Sequence, residues 1–275
     1  MEASDTIHET IHDAAIDRSA ADRAAPGGAL PKRAASPLGA FVFDACMGIV
    51  LMLAISVAVG VAWGIANGVA GNGTATLAMD TISLLWMTAL GTGGAAVIVY
   101  LWRRRATPAE RAASLAAARR PGTWGWAALV AGAVFLATSA AQWLMGQGGI
   151  QAEPTNVQVI QEGLALSPVQ VLLFAVVVAP VYEELFFRRV LFGRLWAAGK
   201  PWLGIILSSA VFALMHEVPG VGGNPLEATL LLWVVYGGMG AAFAWVYWKT
   251  GTLWAAIGAH ALNNLVSCLI LFATT

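Results

Sequence analysis

Val171-Leu172-Leu173-Phe174-Ala175-Val176-Val177-Val178-Ala179-Pro180-Val181-Tyr182-Glu183-Glu184-Leu185-Phe186-Phe187-Arg188-Arg189 decides how the rest of the chain is read. Twelve residues without a charge run directly into two adjacent carboxylates, and two guanidiniums follow. In a hydrocarbon core each such group costs roughly 2.5–3.5 kcal/mol on insertion scales. A membrane protein keeps one where it lines a pathway, pairs with another group, or does chemistry.

The whole chain sets that stretch in a membrane. Of its 275 residues 59% are hydrophobic and 11% charged, and the mean hydropathy is +0.72. A soluble domain carries about 25% charged residues. The composition implies an all-α, polytopic membrane protein. The formal net charge is zero, so nothing in the global charge points to a nucleic-acid partner. Cys46 and Cys268 have no CxxC spacing and suggest neither a disulfide framework nor a thiolate metal site.

Working outward, residues 1–37 are polar and lack an apolar centre, which reads as a disordered cytoplasmic tail. Its His8 and His12 read as solvated side chains. Residues 38–167 hold the first three membrane helices, near Phe41–Ile65, Ser83–Trp102 and Trp124–Met145. Gly60, Gly64 and Gly68 recur every four residues and predict close helix packing. Pro108–Arg120 suits an amphipathic surface helix, and 146–167 reads as a polar loop. Residues 168–275 hold four more helices: one from Pro168 towards Trp196, then Trp202–His216, Ala228–Trp248 and Leu253–Phe272. The expected architecture is therefore about seven transmembrane helices, the last four forming a catalytic core.

All fifteen Lys and Arg residues fall in the tail, in 103–120, in 188–200, or at Lys249. With seven spans these all lie on one side, which puts the N-terminus in the cytoplasm and the C-terminus outside. The Ala/Gly-rich composition suits a bacterial inner, multi-pass cell-membrane protein.

Outside the tail only two histidines occur, His216 and His260, both within predicted spans. Glu184 and Arg188 are i,i+4 with the acid first, the favourable order for a pair. Glu183 is turned about 100° away from Glu184. His216 follows Phe212, and Asn264 follows His260, each by one turn. At about 1.5 Å per residue, Glu183 lies roughly 20 Å from Trp196 and His216 about 21 Å from Trp202. His260 lies some 12–16 Å from the nearer connection. The three meet at one depth only if the helix bearing Glu183 continues past Arg188. A carboxylate and an imidazole can then hold one water as a general base. A second imidazole and a carboxamide can donate to an oxyanion. The same Glu183, His216 and His260 could instead ligate zinc. A non-catalytic immunity or scaffold protein, or a proton-coupled transporter, would also account for carboxylates at that depth.

Glu183-Glu184-x-x-x-Arg188, Phe212-x-x-x-His216 and His260-x-x-x-Asn264, in that order, resemble the three-motif signature of the CPBP family. That family comprises the type II CAAX prenyl endopeptidases and the related bacterial bacteriocin-processing or self-immunity (Abi) proteins. The resemblance covers about 168–272. It implies an intramembrane endopeptidase with a peptide or membrane-protein substrate and no resident cofactor. It further implies Glu183 as the base, His216 as its partner, His260 and Asn264 as oxyanion donors, and Glu184, Arg188 and Phe212 in support. A prenylated substrate does not follow, because a bacterial chain need not meet one.

Overall fold

Nine helices run through the computed structural model, which describes residues 36–69 and 79–274. They are α1 (Pro37–Val69), α2 (Thr81–Arg103), α3 (Pro108–Ala118), α4 (Pro121–Gln147) and α5 (Thr155–Leu166), followed by α6 (Pro168–Ala197), α7 (Pro201–His216), α8 (Leu226–Thr250) and α9 (Leu253–Thr274). The tail, with its two histidines, lies outside the described residues.

The protein is an all-α polytopic membrane protein. Among the described residues six helices are long and apolar enough to cross a bilayer: α1, α2, α4, α6, α8 and α9. The sequence predicts a seventh crossing at Trp202–His216. Here the structure has α7, which is apolar but only 16 residues long. At 1.5 Å per residue it reaches about 24 Å, less than the ~30 Å of a hydrocarbon core. It stops at His216 because the next side chain, Glu217, is drawn into hydrogen bonds with Thr155 at the start of α5.

Two local expectations are revised. The segment 146–167 is not simply a loop, since Thr155–Leu166 is helical and α5 packs Val159, Ile160 and Leu164 into the core. Gly60, Gly64 and Gly68 are not the points of close packing. A Cβ would meet nothing within 4 Å at Gly64 or Gly68. The tight approaches are at Gly48, where Phe186 occupies the space, and Gly91, where Ser56 does. Asp44, in the second turn of α1, is fully buried.

The central element is α6, which continues through Pro180 and past Arg188 to Ala197. A proline inside an α-helix removes one ladder bond and clashes with the carbonyl four residues back. Here the helix widens into π-helical turns at Leu173–Val178 and again at Glu184–Phe192. Such turns occur as insertions in α-helices, frequently at functional sites. Around α6 pack α2 and α7; α7 lies along α8, and α9 lies along α4. Gly240 of α8 lets the α7 backbone approach, since a Cβ there would stand 3.1 Å from the Cα of Ser209. Gly251, at φ 71°, supplies the left-handed turn that joins α8 to α9.

Polar contacts tie the two ends of the bundle separately. At one end Asp44 accepts from Arg103 Nε at 2.7 Å and Arg194 Nε at 3.0 Å. Arg104 Nη2 donates to the Gly193 carbonyl, Arg189 pairs with Glu110, and Ser114 meets Thr252. The amphipathic helix predicted at 108–120 is α3, begun by a capping box between Thr107 and Glu110. At the other end Thr81 donates to Glu162, Trp86 to Gln170, and Glu153 exchanges two bonds with Asn224. Cys46 and Cys268 are both free thiols.

Candidate active site

Arg188 is the largest fully buried side chain in the described bundle. Its Nε lies 3.1 Å from Glu184 Oε2, and its Nη2 donates to the Gly240 carbonyl at 3.1 Å. The guanidinium sits over the ring of Phe212 at 4.6 Å, with Phe243 and Phe187 at 5.5 and 5.7 Å. An enclosed cation of this kind needs its carboxylate and its aromatic faces together. Glu184 is fully enclosed too, and its second oxygen, Oε1, lies 2.9 Å from His260 Nδ1. Glu184 therefore holds two partners from two other turns of the bundle, Arg188 on its own helix and His260 on α9.

Glu183 points elsewhere, as the one-residue rotation requires. Its Oε2 is 3.6 Å from His216 Nε2 and 3.9 Å from His260 Nε2. That oxygen is buried and has no hydrogen-bond partner. Both imidazoles reach it with the same nitrogen for the same reason. His216 Nδ1 lies 2.8 Å from the Phe212 carbonyl, which can only accept, so Nδ1 carries the proton and donates. His260 Nδ1 faces a carboxylate and donates likewise. Each Nε2 is thereby left towards Glu183. Ring contacts fix the planes: His216 lies between Phe212, 4.1 Å away, and Tyr236, 4.7 Å away. His260 stacks on Phe243 at 4.8 Å.

Asn264 also faces the cavity. One of its amide hydrogens is committed, since Nδ2 donates to the Ala175 carbonyl at 2.9 Å, in the π-helical part of α6. A carboxamide nitrogen has a second hydrogen, which remains for a ligand. A cavity of about 480 Å³ lies over Glu183, His216, His260 and Asn264 and continues between α4, α5, α8 and α9. All seven residues singled out in the sequence thus occur in two joined groups. Glu183, His216, His260 and Asn264 border the cavity, while Glu184, Arg188 and Phe212 stand behind them.

Three further residues belong to this neighbourhood. Asn263, buried beside Asn264, lines the cavity and keeps an unpartnered Oδ1. Tyr236 covers one face of His216 and donates to Asn156. Glu217 takes both the backbone N–H and the hydroxyl of Thr155, at 2.7 and 2.6 Å, and its own carbonyl accepts from Trp233. Adjacency to His216 was the available signal for Glu217, and adjacency to Asn264 for Asn263. Nothing in the local sequence marks Tyr236.

Residues 165–266 match the family model described as "Type II CAAX prenyl endopeptidase Rce1-like". That segment of the chain is Rce1-like. The Rce1-like segment holds every one of the seven residues above and leaves out α1 to α4. Two Bacillus subtilis proteins are similar to the chain. "Putative membrane peptidase YdiL" is 29% identical over 116 residues, which is 42% of this chain and 43% of that protein. "Uncharacterized protein YyaK" is 30% identical over 120 residues, 41% of this chain and 38% of that one. The matched region spans less than half the length of these curated relatives. No solved structure matches.

Proposed function

We propose that the protein is an intramembrane endopeptidase in which Glu183 activates a water for attack on a peptide carbonyl. One observation carries this reading: a buried carboxylate oxygen, without a donor, facing two imidazole nitrogens under a cavity. Separations of 3.6 and 3.9 Å exceed a direct hydrogen bond, so the carboxylate oxygen and both ring nitrogens keep hydrogen-bonding capacity for a water in the cavity. In the proposed reaction Glu183 takes one proton from that water while His216 Nε2 orients it. The resulting hydroxide attacks the carbonyl carbon. The carbonyl oxygen, now anionic, is met by the second amide hydrogen of Asn264 and by His260. To donate from Nε2, His260 carries both ring protons, and Glu184 balances the charge. As the tetrahedral species collapses, the proton on Glu183 passes to the departing amine. Water is added across one bond, and Glu183 ends as it began.

Zinc takes carboxylate and imidazole ligands, and Nδ1 bonds of the kind made here often orient metal-bound histidines. Among the described residues no group of three or more His, Cys, Asp or Glu side chains is arranged as a preformed ion site. No step of the proposal passes through a metal.

The test is turnover of a quenched fluorogenic peptide by the purified protein in proteoliposomes. Glu183→Gln is expected to abolish it, and full turnover by that variant would overturn the assignment. Chelation is expected to leave turnover unchanged. Loss on chelation with recovery on adding zinc would replace the water-activating role of Glu183 with a metal-binding one.

A further inference from the structure

The bundle has a basic end and an acidic end, and the cavity belongs to the acidic one. The cross-contacts of Asp44, Arg104, Arg189 and Ser114 gather the start of α1, the end of α2, α3, the end of α6 and the α8–α9 turn at a single end. There lie Arg103–Arg105, Arg111, Arg119, Arg120, Arg189, Arg194, Lys200 and Lys249. The contacts of Thr81, Trp86, Glu153 and Glu217 gather the start of α2, α5, the start of α6 and the end of α7 at the other. Residues 146–167 and 217–227 contain no Lys or Arg, but they hold Glu153, Glu162, Glu217 and Glu227. Short loops rich in Lys and Arg stay in the cytoplasm, so the basic end is the cytoplasmic one.

From Glu183 the cavity is lined by the later part of α4 at Thr138 and Gln142, the beginning of α5 at Pro154 and Asn156, and the end of α9 at Thr274. Gln142, Asn156 and Thr274 are exposed. Every one of these positions lies away from the basic end of its helix. Below Glu183, towards the basic end, the way is shut by Arg188, Phe187, Phe212 and Phe243, none more than 2% exposed. A second chamber, of about 680 Å³, exists at the basic end between α3, α6 and the α8–α9 turn, but it shares no lining residue with the first.

We infer that the site takes its substrate from the extracytoplasmic side. The substrate is then a segment of an exported or membrane-anchored polypeptide lying at the outer face, not the C-terminus of a cytoplasmic protein. This rests on the proposed endopeptidase reading and adds the side of entry to it. A cytoplasmic chain would meet the closed layer of Arg188 and the three phenylalanines.

The experiment uses the full chain with Cys46→Ala and Cys268→Ala, so that a single added cysteine is the only thiol. Thr274→Cys and, independently, Gln142→Cys report the cavity mouth, and Ala116→Cys on α3 reports the basic end. A membrane-impermeant maleimide is applied to spheroplasts and to inverted vesicles. Thr274→Cys and Gln142→Cys should label in spheroplasts, and Ala116→Cys in inverted vesicles alone. The reversed pattern overturns the inference, whatever the activity of Glu183→Gln. Cleavage of an impermeant peptide should likewise occur with right-side-out and not with inverted membranes. Cleavage by inverted membranes alone overturns the inference and leaves the peptidase standing. The expected labelling together with a fully active Glu183→Gln would remove Glu183 as the base and keep the outward opening.

Discussion

Two regions of this bundle handle charge in opposite ways. At the basic end the carboxylates are saturated: Asp44 bridges Arg103 and Arg194, and Glu110 holds Arg189 while capping α3. Midway along α6 the pattern divides between neighbours. Glu184 has a charged or ring-nitrogen neighbour at each oxygen, His260 Nδ1 at 2.9 Å and Arg188 Nε at 3.1 Å, although its Oε2 makes no hydrogen bond; Glu183, one residue earlier, has only two imidazole nitrogens, 3.6 and 3.9 Å from its Oε2. The closed sites hold helices together. The open one makes no hydrogen bond at that oxygen to repay its burial, which supports the proposed chemical role.

The comparison breaks first, and by most, at Glu183. Glu183→Gln should lower peptide turnover roughly 10³–10⁴-fold, the upper range for a positioned proton acceptor. Its melting temperature should be unchanged or higher, because a desolvated carboxylate is removed. A fall in both would assign Glu183 to the structural class. Next comes Arg188→Ala, which strands Glu184 in the interior. Removing one partner of a buried pair costs about 3–5 kcal/mol, read as a loss of unfolding free energy in detergent. A loss below about 1 kcal/mol would show that His260 alone suffices for Glu184.

Asp44→Asn should cost less, about 1.5–2 kcal/mol by the same measurement, because Arg103 and Arg194 keep some contact with solvent once released. The smallest effect is at Glu110, whose carboxyl is held down to about 2 from its ordinary 4.5, first by the hydrogen bond from Arg189 and then by the Thr107 N–H. A depressed carboxylate stabilises the fold above its ordinary pKa, and that stability disappears as pH falls from about 4.5 to about 2. Glu110 is well exposed, so the gain is under about 1 kcal/mol. Comparison of wild-type and Glu110→Gln melting temperatures should show a gap at pH 6 that closes near pH 2 and narrows in high salt. A gap that widened in acid would contradict the pairing.

Helix arithmetic made much of the site legible in advance. Three i,i+4 pairs and a rise of 1.5 Å per residue were enough to require that α6 pass Arg188 if Glu183 was to meet His216. The helix does continue, to Ala197. The role of Glu184 was only half legible, because Arg188 is four residues away in sequence while His260 reaches it through the fold. In α5 a stripe of Val157, Val159, Ile160 and Leu164 was present but hidden among polar residues. Glu217 and Tyr236 depend on contacts across loops and between α7 and α8, to which local spacing is blind. The π-helical turns are likewise a property of the backbone that no composition announces.

Those turns make α6 a ruler as well as a scaffold. Asn264 is anchored on the Ala175 carbonyl in the first widened stretch, and Glu183 follows two turns later. Delete one residue from the ordinary α turn between the two widened stretches, Ala179–Glu183, and all that follows turns by about 100°. Glu184 would then come round towards the place of Glu183, and Arg188 would leave its aromatic nest. In this part of the chain the number of residues matters as much as their kind, and drift by substitution should be far better tolerated than any change of length.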